Sequence, residues 1–180
     1  HFAYVGGITS IRGAREMVEA IGQVGHQGAR LQLAGEFQPD ALRDDLAAMS
    51  GWQRVEYHGW ATRPEVARIL GRVRAGLVLF HPAPNHLDAQ PNKMFEYMAA
   101  GIPVIASDFP LWRKIVDGAG CGLLVNPMDP AAIAEAMQWL LDHPDEAEAM
   151  GQRGRKAVES TYNWAPESEK LLALYKRLLQ

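Results

Sequence analysis

The chain has 180 residues, 48% of them hydrophobic and 22% charged, with a formal net charge of -3. That balance suits one globular domain with a sizeable core. It excludes an ordinary nucleic-acid-binding surface, because the Lys and Arg residues are scattered and form no basic run. No apolar run approaches the length of a bilayer span. Cys121, the one cysteine, has no partner for an internal disulfide, so a reducing, cytoplasmic setting is expected. The first residue is His1, placed against what reads as a buried strand, and the expectation is a piece of a longer protein.

Phe2 to Val5 reads as a strand, and 6–13 as a glycine-containing loop. Ala14, Met17, Val18 and Ile21 follow at helical spacing. Leu31 to Ala34 is a second strand closed by Gly35, and Pro39 and Asp40 open a helix running to about Met49. Val55 to His58 is a third strand. Thr62-Arg-Pro-Glu65 forms a capping box that starts a helix with Val66, Ile69, Leu70 and Val73 on its apolar face. Gly76 to Phe80 is apolar throughout, as a strand covered on both faces should be.

In the second half, a helix from about Asn92 carries Met94, Phe95, Met98 and Ala99 and stops at Gly101. Ile102 to Ala106 is a fifth strand, with Pro103 admissible only where no ladder N–H is needed. A short helix at 111–116 precedes a sixth strand from Gly122 to Val125. Asp129 caps a helix from Pro130 to about Leu141, and two helices, near 144–159 and 166–179, end the chain. Strands alternating with helices imply an α/β domain: a doubly wound, Rossmann-like parallel sheet of about six strands with helices on both faces. Ligands of such sheets bind at the carboxyl ends of the strands, here the loops 6–12, 35–38, 59–62, 81–91 and 107–110.

Gly6-Gly7 and Gly35 would let backbone approach an anion, and Arg12 offers a forked donor to phosphate. An ordinary βα loop with a solvated arginine explains the same residues equally well. Asp88 and Glu96 flank Gln-Pro91-Asn92-Lys93. This reading puts a carboxylate in the first helical turn, able to accept two hydrogen bonds from a ribose diol, beside free N–H groups and the Lys93 ammonium. The plainer alternatives are a turn aspartate and a surface Lys93–Glu96 ion pair. Trp60 either packs over a base or, slightly favoured, is a core aromatic at a loop edge. Trp112, Trp139 and Trp164 read as structural, and His81 and His86 as loop polar groups. No third ligand completes a metal site around those histidines, and no Asp-x-Asp pair occurs. Cys121 reads as a small core residue.

These segments together resemble the C-terminal, donor-binding domain of GT-B glycosyltransferases of family 4 (group 1). The resemblance rests on Tyr4-Val-Gly-Gly with Arg12-Gly13, on Leu33-Ala-Gly35-Glu36, on Tyr57-His-Gly59-Trp60, and on Asp88 to Glu96 followed by Tyr97-Met-Ala-Ala-Gly-Ile-Pro-Val-Ile-Ala106. Tyr162-Asn-Trp164 and the final helix add to it. It implies one half of a GT-B enzyme, a hexosyltransferase-type reaction with a UDP- or GDP-sugar as substrate, a retaining outcome, and neither metal nor other cofactor. Glu96 would hold the ribose, Asp88 would face the sugar, and Arg12 would neutralise the diphosphate with help from backbone N–H groups near Asn92 and Lys93. The expected partners are the nucleotide sugar and a missing N-terminal domain of the same protein, with no nucleic acid. Peripheral attachment at the inner face of the membrane is left open for the full-length enzyme. Without that N-terminal domain the chain is expected to be inactive, and apolar residues of its last helix to be uncovered. Two departures stand out: Gly7 occupies a place where the family often has Arg, for which Lys93 would compensate, and Asp88 is one methylene shorter than the family's Glu. The alternatives are a non-catalytic nucleotide-binding module, or half of a sugar-nucleotide epimerase or of a phosphorylase.

Overall fold

The structure, a computed structural model, describes residues 1–179. Six parallel strands form one sheet: β1 (Phe2–Val5), β2 (Leu31–Ala34), β3 (Val55–Gly59), β4 (Ala75–Val78), β5 (Val104–Ser107) and β6 (Gly122–Val125). Their spatial order is β3-β2-β1-β4-β5-β6, so the winding reverses between β1 and β4. Phe2 of β1 pairs with Leu31 on one side and Ala75 on the other. The helices are α1 (Ala14–Gln23), α2 (Leu42–Ala47), α3 (Arg63–Leu70), α4 (Pro84–Leu87), α5 (Asn92–Ala99), α6 (Pro110–Ala119), α7 (Pro130–Asp142), α8 (Pro144–Ser160) and α9 (Trp164–Leu178).

The sheet separates two apolar cores. Phe2, Tyr4, Leu31, Leu33 and Leu77 face Met17, Val18 and Ile21 of α1 and Ile133 and Met137 of α7. Ala3, Val78, Val104 and Ala106 face Met94, Tyr97 and Met98 of α5 and Trp112 and Val116 of α6. Each such side chain, fully removed from water, contributes on the order of 2 kcal/mol. The central strands β1, β2, β4 and β5 are buried along nearly their whole length, whereas β3, at the edge, alternates between half-buried and exposed positions. That is why Val55-Glu-Tyr-His reads as an alternating run and Ala75 to Val78 as a continuous one.

Several boundaries differ from the sequence reading. α2 is confined to Leu42–Ala47, and Pro39 and Asp40 lie before it; a 3-10 turn at Ser50–Arg54 then packs on α1. A side chain at Gly51 would collide with the Val18 carbonyl, 1.8 Å from the added Cβ, so this close crossing requires glycine. β4 ends at Val78; Leu79 and Phe80 remain buried but leave the ladder to build the loop beyond it. Pro103 precedes β5, and its carbonyl accepts from the Gly76 N–H at 3.0 Å. α6 begins at Pro110 and runs one turn longer than predicted, and α4 was not predicted. The Thr62 capping box is present, with the Thr62 N–H donating to Glu65 at 2.7 Å.

On α5 the apolar face is Met94, Tyr97 and Met98, not Met94, Phe95, Met98 and Ala99. Tyr97 is fully buried and lies flat over Gly76 of β4, where an added Cβ would sit 2.1 Å from its ring. Its hydroxyl is satisfied by the Val5 N–H, which donates to it at 2.9 Å. Ala99 is exposed, and Phe95 packs instead on Tyr162. Among the described residues no helix is long and apolar enough to cross a membrane.

Candidate functional site

Three loops leave the carboxyl ends of β1, β2 and β3 in a row and are laced together by backbone. The Gly6 N–H donates to the Ala34 carbonyl at 2.8 Å, and the Gly35 N–H donates to the Gly59 carbonyl at 2.7 Å. Gly6 and Gly35 hold φ values of 124° and 143°, and an added Cβ on Gly35 would lie 2.0 Å from the Gly6 carbonyl. The loops can approach this closely only because both positions lack side chains. The result is an open cleft of about 290 Å³ lined by Gly6, Gly7, Gly35, Glu36, Gln38 and Trp60. Trp60 is 70% exposed. It forms a free aromatic wall and not the core contact slightly favoured from the sequence, because Gly59 in the left-handed conformation turns the chain outward directly before it.

A larger recess of about 510 Å³ lies elsewhere, between the β2–β3 face and α3. Its floor is Gln32, whose amide already bonds Glu56 at 2.7 Å and His58 at 2.6 Å. It touches the strand-end loops only at Ala61 and does not reach the glycine turns after β1 and β2. The smaller cleft is therefore the candidate site.

Two cations reach the glycine turn after β1 from different elements. Arg12, closing a 3-10 turn at Ser10–Arg12, donates to the Gly7 carbonyl at 3.2 Å, with its guanidinium carbon 5.7 Å from the Phe80 ring centre. Tyr4 donates its hydroxyl to the same carbonyl at 2.7 Å, and burial raises its pKa strongly. Lys93 comes from the first turn of α5. Its Nζ lies 3.6 Å from the Tyr4 ring centre and 5.5 Å from that of Phe80, and a Cβ on Gly6 would be 3.1 Å from it. This ammonium is out of contact with solvent and has no hydrogen-bond partner among the described residues. Burial, and secondarily Arg12, lower its pKa to about 7, with Glu96 acting in the opposite sense.

Glu96 falls in the second turn of α5, one turn later than expected, since the first turn carries no acidic residue. It pairs with Arg63 at the start of α3, at 3.1 Å, instead of with Lys93. Its side chain is 40% exposed, and the pair sits in a separate recess of about 460 Å³ floored by Val66 and Leu70. The segment from Trp60 to Arg63 links this recess to the glycine cleft. Asp88 is exposed and closes α4; it is not among the residues lining the cleft. Pro91 and the exposed Asn92 open α5, with the Pro91 carbonyl accepting from the Met94 N–H at 3.0 Å. This loop is fastened from below, where the Trp112 indole donates to the Ala89 carbonyl at 2.7 Å.

The structure thus gathers Gly6, Gly7, Arg12, Gly35, Trp60 and Lys93 at one mouth, sets Glu96 beside it through Arg63, and leaves Asp88 on the outer loop. Both histidines, expected as loop polar groups, are largely covered. His86 is buried against Phe80, its ring nitrogen 3.0 Å from the His81 carbonyl, and His81 lies 3.1 Å from Glu16 in a mostly buried pair. Trp112 is fully buried and Trp139 stacks on His143, but Trp164 is 69% exposed and therefore not a core residue. Cys121 is buried, and burial pushes its thiol up to about 11, as suits a small core side chain. Tyr4, Phe80, Tyr97 and Arg63 were missed from the sequence. The available signal was an aromatic two residues before a double glycine and an arginine inside the capping box after Trp60. Among the described residues no group of three or more His, Cys, Asp or Glu could hold a metal ion.

A six-stranded, all-parallel sheet in this order, with helices on both faces, defines a doubly wound α/β domain of the kind that forms half of a GT-B glycosyltransferase. The solved sucrose-phosphate synthase from Thermosynechococcus elongatus superposes with a TM-score of 0.83 at 25% identity, over 98% of this chain and 45% of that one. Anabaena Alr3699/HepE, solved in complex with UDP, superposes with a TM-score of 0.81 at 15% identity, over 97% of this chain and 48% of that one. A glycogen synthase from Mycobacterium tuberculosis is 27% identical over 164 residues, 89% of this chain and 38% of that protein. The chain belongs to the glycosyl transferases of group 1, whose family model matches residues 1–143. It spans less than half the length of these relatives.

Proposed function

We propose that this domain binds the nucleotide-diphosphate sugar, a UDP- or GDP-sugar, for a retaining, metal-independent hexosyl-type transferase. The observation that carries the reading is the meeting of backbone-lined cleft, exposed Trp60 and the Arg12 guanidinium at the carboxyl ends of β1 to β3. The UDP bound by the structurally similar HepE supports it. In this reading Trp60 stacks on the base and the Gly6-Gly7 and Gly35 backbone admits the diphosphate. Arg12, together with amides of Asn92 and Lys93, balances the charge that develops on the diphosphate as the glycosidic bond breaks. Glu96 exchanges Arg63 for the two ribose hydroxyls, an exchange that costs little because so exposed an ion pair contributes at most about 1 kcal/mol. Asp88 faces the sugar. The acceptor is held by an N-terminal domain outside this chain, so the chain alone binds donor and transfers nothing.

A thermal-shift panel of UDP, GDP and their sugars, with and without magnesium, tests the assignment. At least one diphosphate raises the melting temperature without magnesium, and Glu96→Ala removes the rise. Arg12→Ala weakens the diphosphate by about tenfold or more, the size of one lost charge-assisted bond, and leaves the bare nucleoside unaffected. Equal losses for nucleoside and diphosphate would take Arg12 off the phosphates. A rise that survives Glu96→Ala would take Glu96 off the ribose.

A further inference from the structure

Among the described residues, Lys93 joins Thr9, Glu16 and His81 in burying a side-chain polar atom with no hydrogen-bond partner. A buried ammonium with no acceptor is unfavourable, and proteins keep one where an anion arrives or where it is held neutral. Here Nζ lies 3.6 Å from the Tyr4 ring centre and 5.5 Å from that of Phe80, under the Gly6 turn, and among the described residues it has no hydrogen-bond partner. The charged and titratable groups around it can be named element by element. Arg12 approaches from the loop after β1 and repels it; Glu96, three residues on along α5, attracts it but is engaged by Arg63. The Tyr4 and Tyr97 phenols are held protonated by burial. His81 and Glu16 lie 3.1 Å apart, and among the described residues His81 Nε2 and Glu16 Oε2 are themselves buried without a hydrogen-bond partner. No anion faces the amine directly.

We propose that Lys93 is a stored cation for the donor's diphosphate: it waits against Tyr4 under the double-glycine turn, and ligand binding draws a proton from solution onto it as its Nζ engages the phosphate oxygens. This rests on the diphosphate reading above and adds a linkage to it. Gly6 lacks the side chain that would stand 3.1 Å from Nζ between the aromatic cage and the cleft, so the second positive charge arrives from α5 and not from the β1 loop. Because burial lowers the amine's pKa to about 7 before binding and an adjacent dianion raises it, binding at pH 8 takes up a proton. Affinity therefore falls about tenfold per pH unit above the unbound pKa, until the bound-state value is reached.

Calorimetric titration at pH 8, repeated in buffers of different ionisation heat, reads this directly. The probes are inorganic pyrophosphate, which carries no base, and UDP, GDP and their nucleosides. Expected are uptake close to one proton for pyrophosphate and for whichever diphosphate binds, none for the nucleosides, and in Lys93→Met loss of the uptake with an affinity drop of about tenfold or more for diphosphates alone. The Nζ titration of Lys93, followed by lysine-selective NMR with and without pyrophosphate, gives the same answer in the unaltered chain should the variant not fold. Diphosphate binding without proton uptake, or unchanged in Lys93→Met, would overturn the stored-cation role and leave the nucleotide reading standing. Pyrophosphate uptake with no nucleotide binding would do the reverse. No binding of any probe would overturn both.

Discussion

At the scale of single residues, Lys93 has a cost in the empty protein that can be measured. Its pKa is about 7 in the fold against an ordinary value of 10.5, so between those values the unfolded chain binds more protons than the folded one. The sign follows: unfolding free energy rises with pH across this window, and below about pH 7 the full penalty, on the order of a few kcal/mol, is present. Wild type is thus expected to gain several degrees in Tm from pH 7 to pH 9.5, relative to Lys93→Met, which lacks this slope and is the more stable protein at pH 7. A pH series of melting curves checks it, and parallel curves for the two proteins would show that the amine stays charged or reaches water. Glu96 behaves differently because it is partly exposed and already paired, so its value lies in what displaces Arg63.

At the scale of elements, the joint between β1, β4 and α5 decides the geometry of the mouth. Tyr97 bridges it: the ring covers Gly76, and the hydroxyl takes the Val5 N–H at the last residue before the glycine turn. Tyr97→Phe leaves that buried N–H without its acceptor and is expected to cost about 1–3 kcal/mol, with a further loss of diphosphate affinity because the turn after Val5 loosens. Denaturant melts and the same calorimetry measure both. A variant as stable as wild type would mean that the amide finds another acceptor. This joint also marks the limit of what can be read from the chain. The apolar runs in Phe2 to Val5 and Ala75 to Val78, and the Thr62 capping box, carry the strands and the starts of helices in their local chemistry. Tyr97, between Glu96 and Met98, has a hydroxyl that only a distant amide can satisfy, so helical spacing alone favours Phe95 and Ala99. Likewise Gly6-Gly7 and Arg12 are visible as a loop and the resemblance points Lys93 to the same phosphates, but its burial against Tyr4 and Phe80 is invisible, because those rings come from distant parts of the chain. Trp60 was ambiguous for the same reason: a tryptophan after a strand is either wall or core until the backbone at Gly59 is known.

At the scale of the whole molecule, α9 stands apart. No residue of Trp164–Leu178 is buried, and Leu172, Tyr175 and Leu178 are each more than half exposed. Such a helix adds little to the fold it hangs from. Deleting residues 164–180 should change stability by about 1 kcal/mol or less, while improving solubility at high concentration. Differential scanning calorimetry and light scattering give the two readings, and a large fall in Tm on deletion would mean that α9 packs in solution. The remaining body is held by the two cores on either side of the sheet.

The cleft draws its parts from opposite sides of the point where the winding reverses. On the proposed reading, aromatic contact comes from the β3–α3 corner, and positive charge from the segments following β1 and β4. Specificity for one nucleobase over another can then drift, through exchanges at 59–62, while the pyrophosphate clamp stays intact. Such a division would let one scaffold serve many donors.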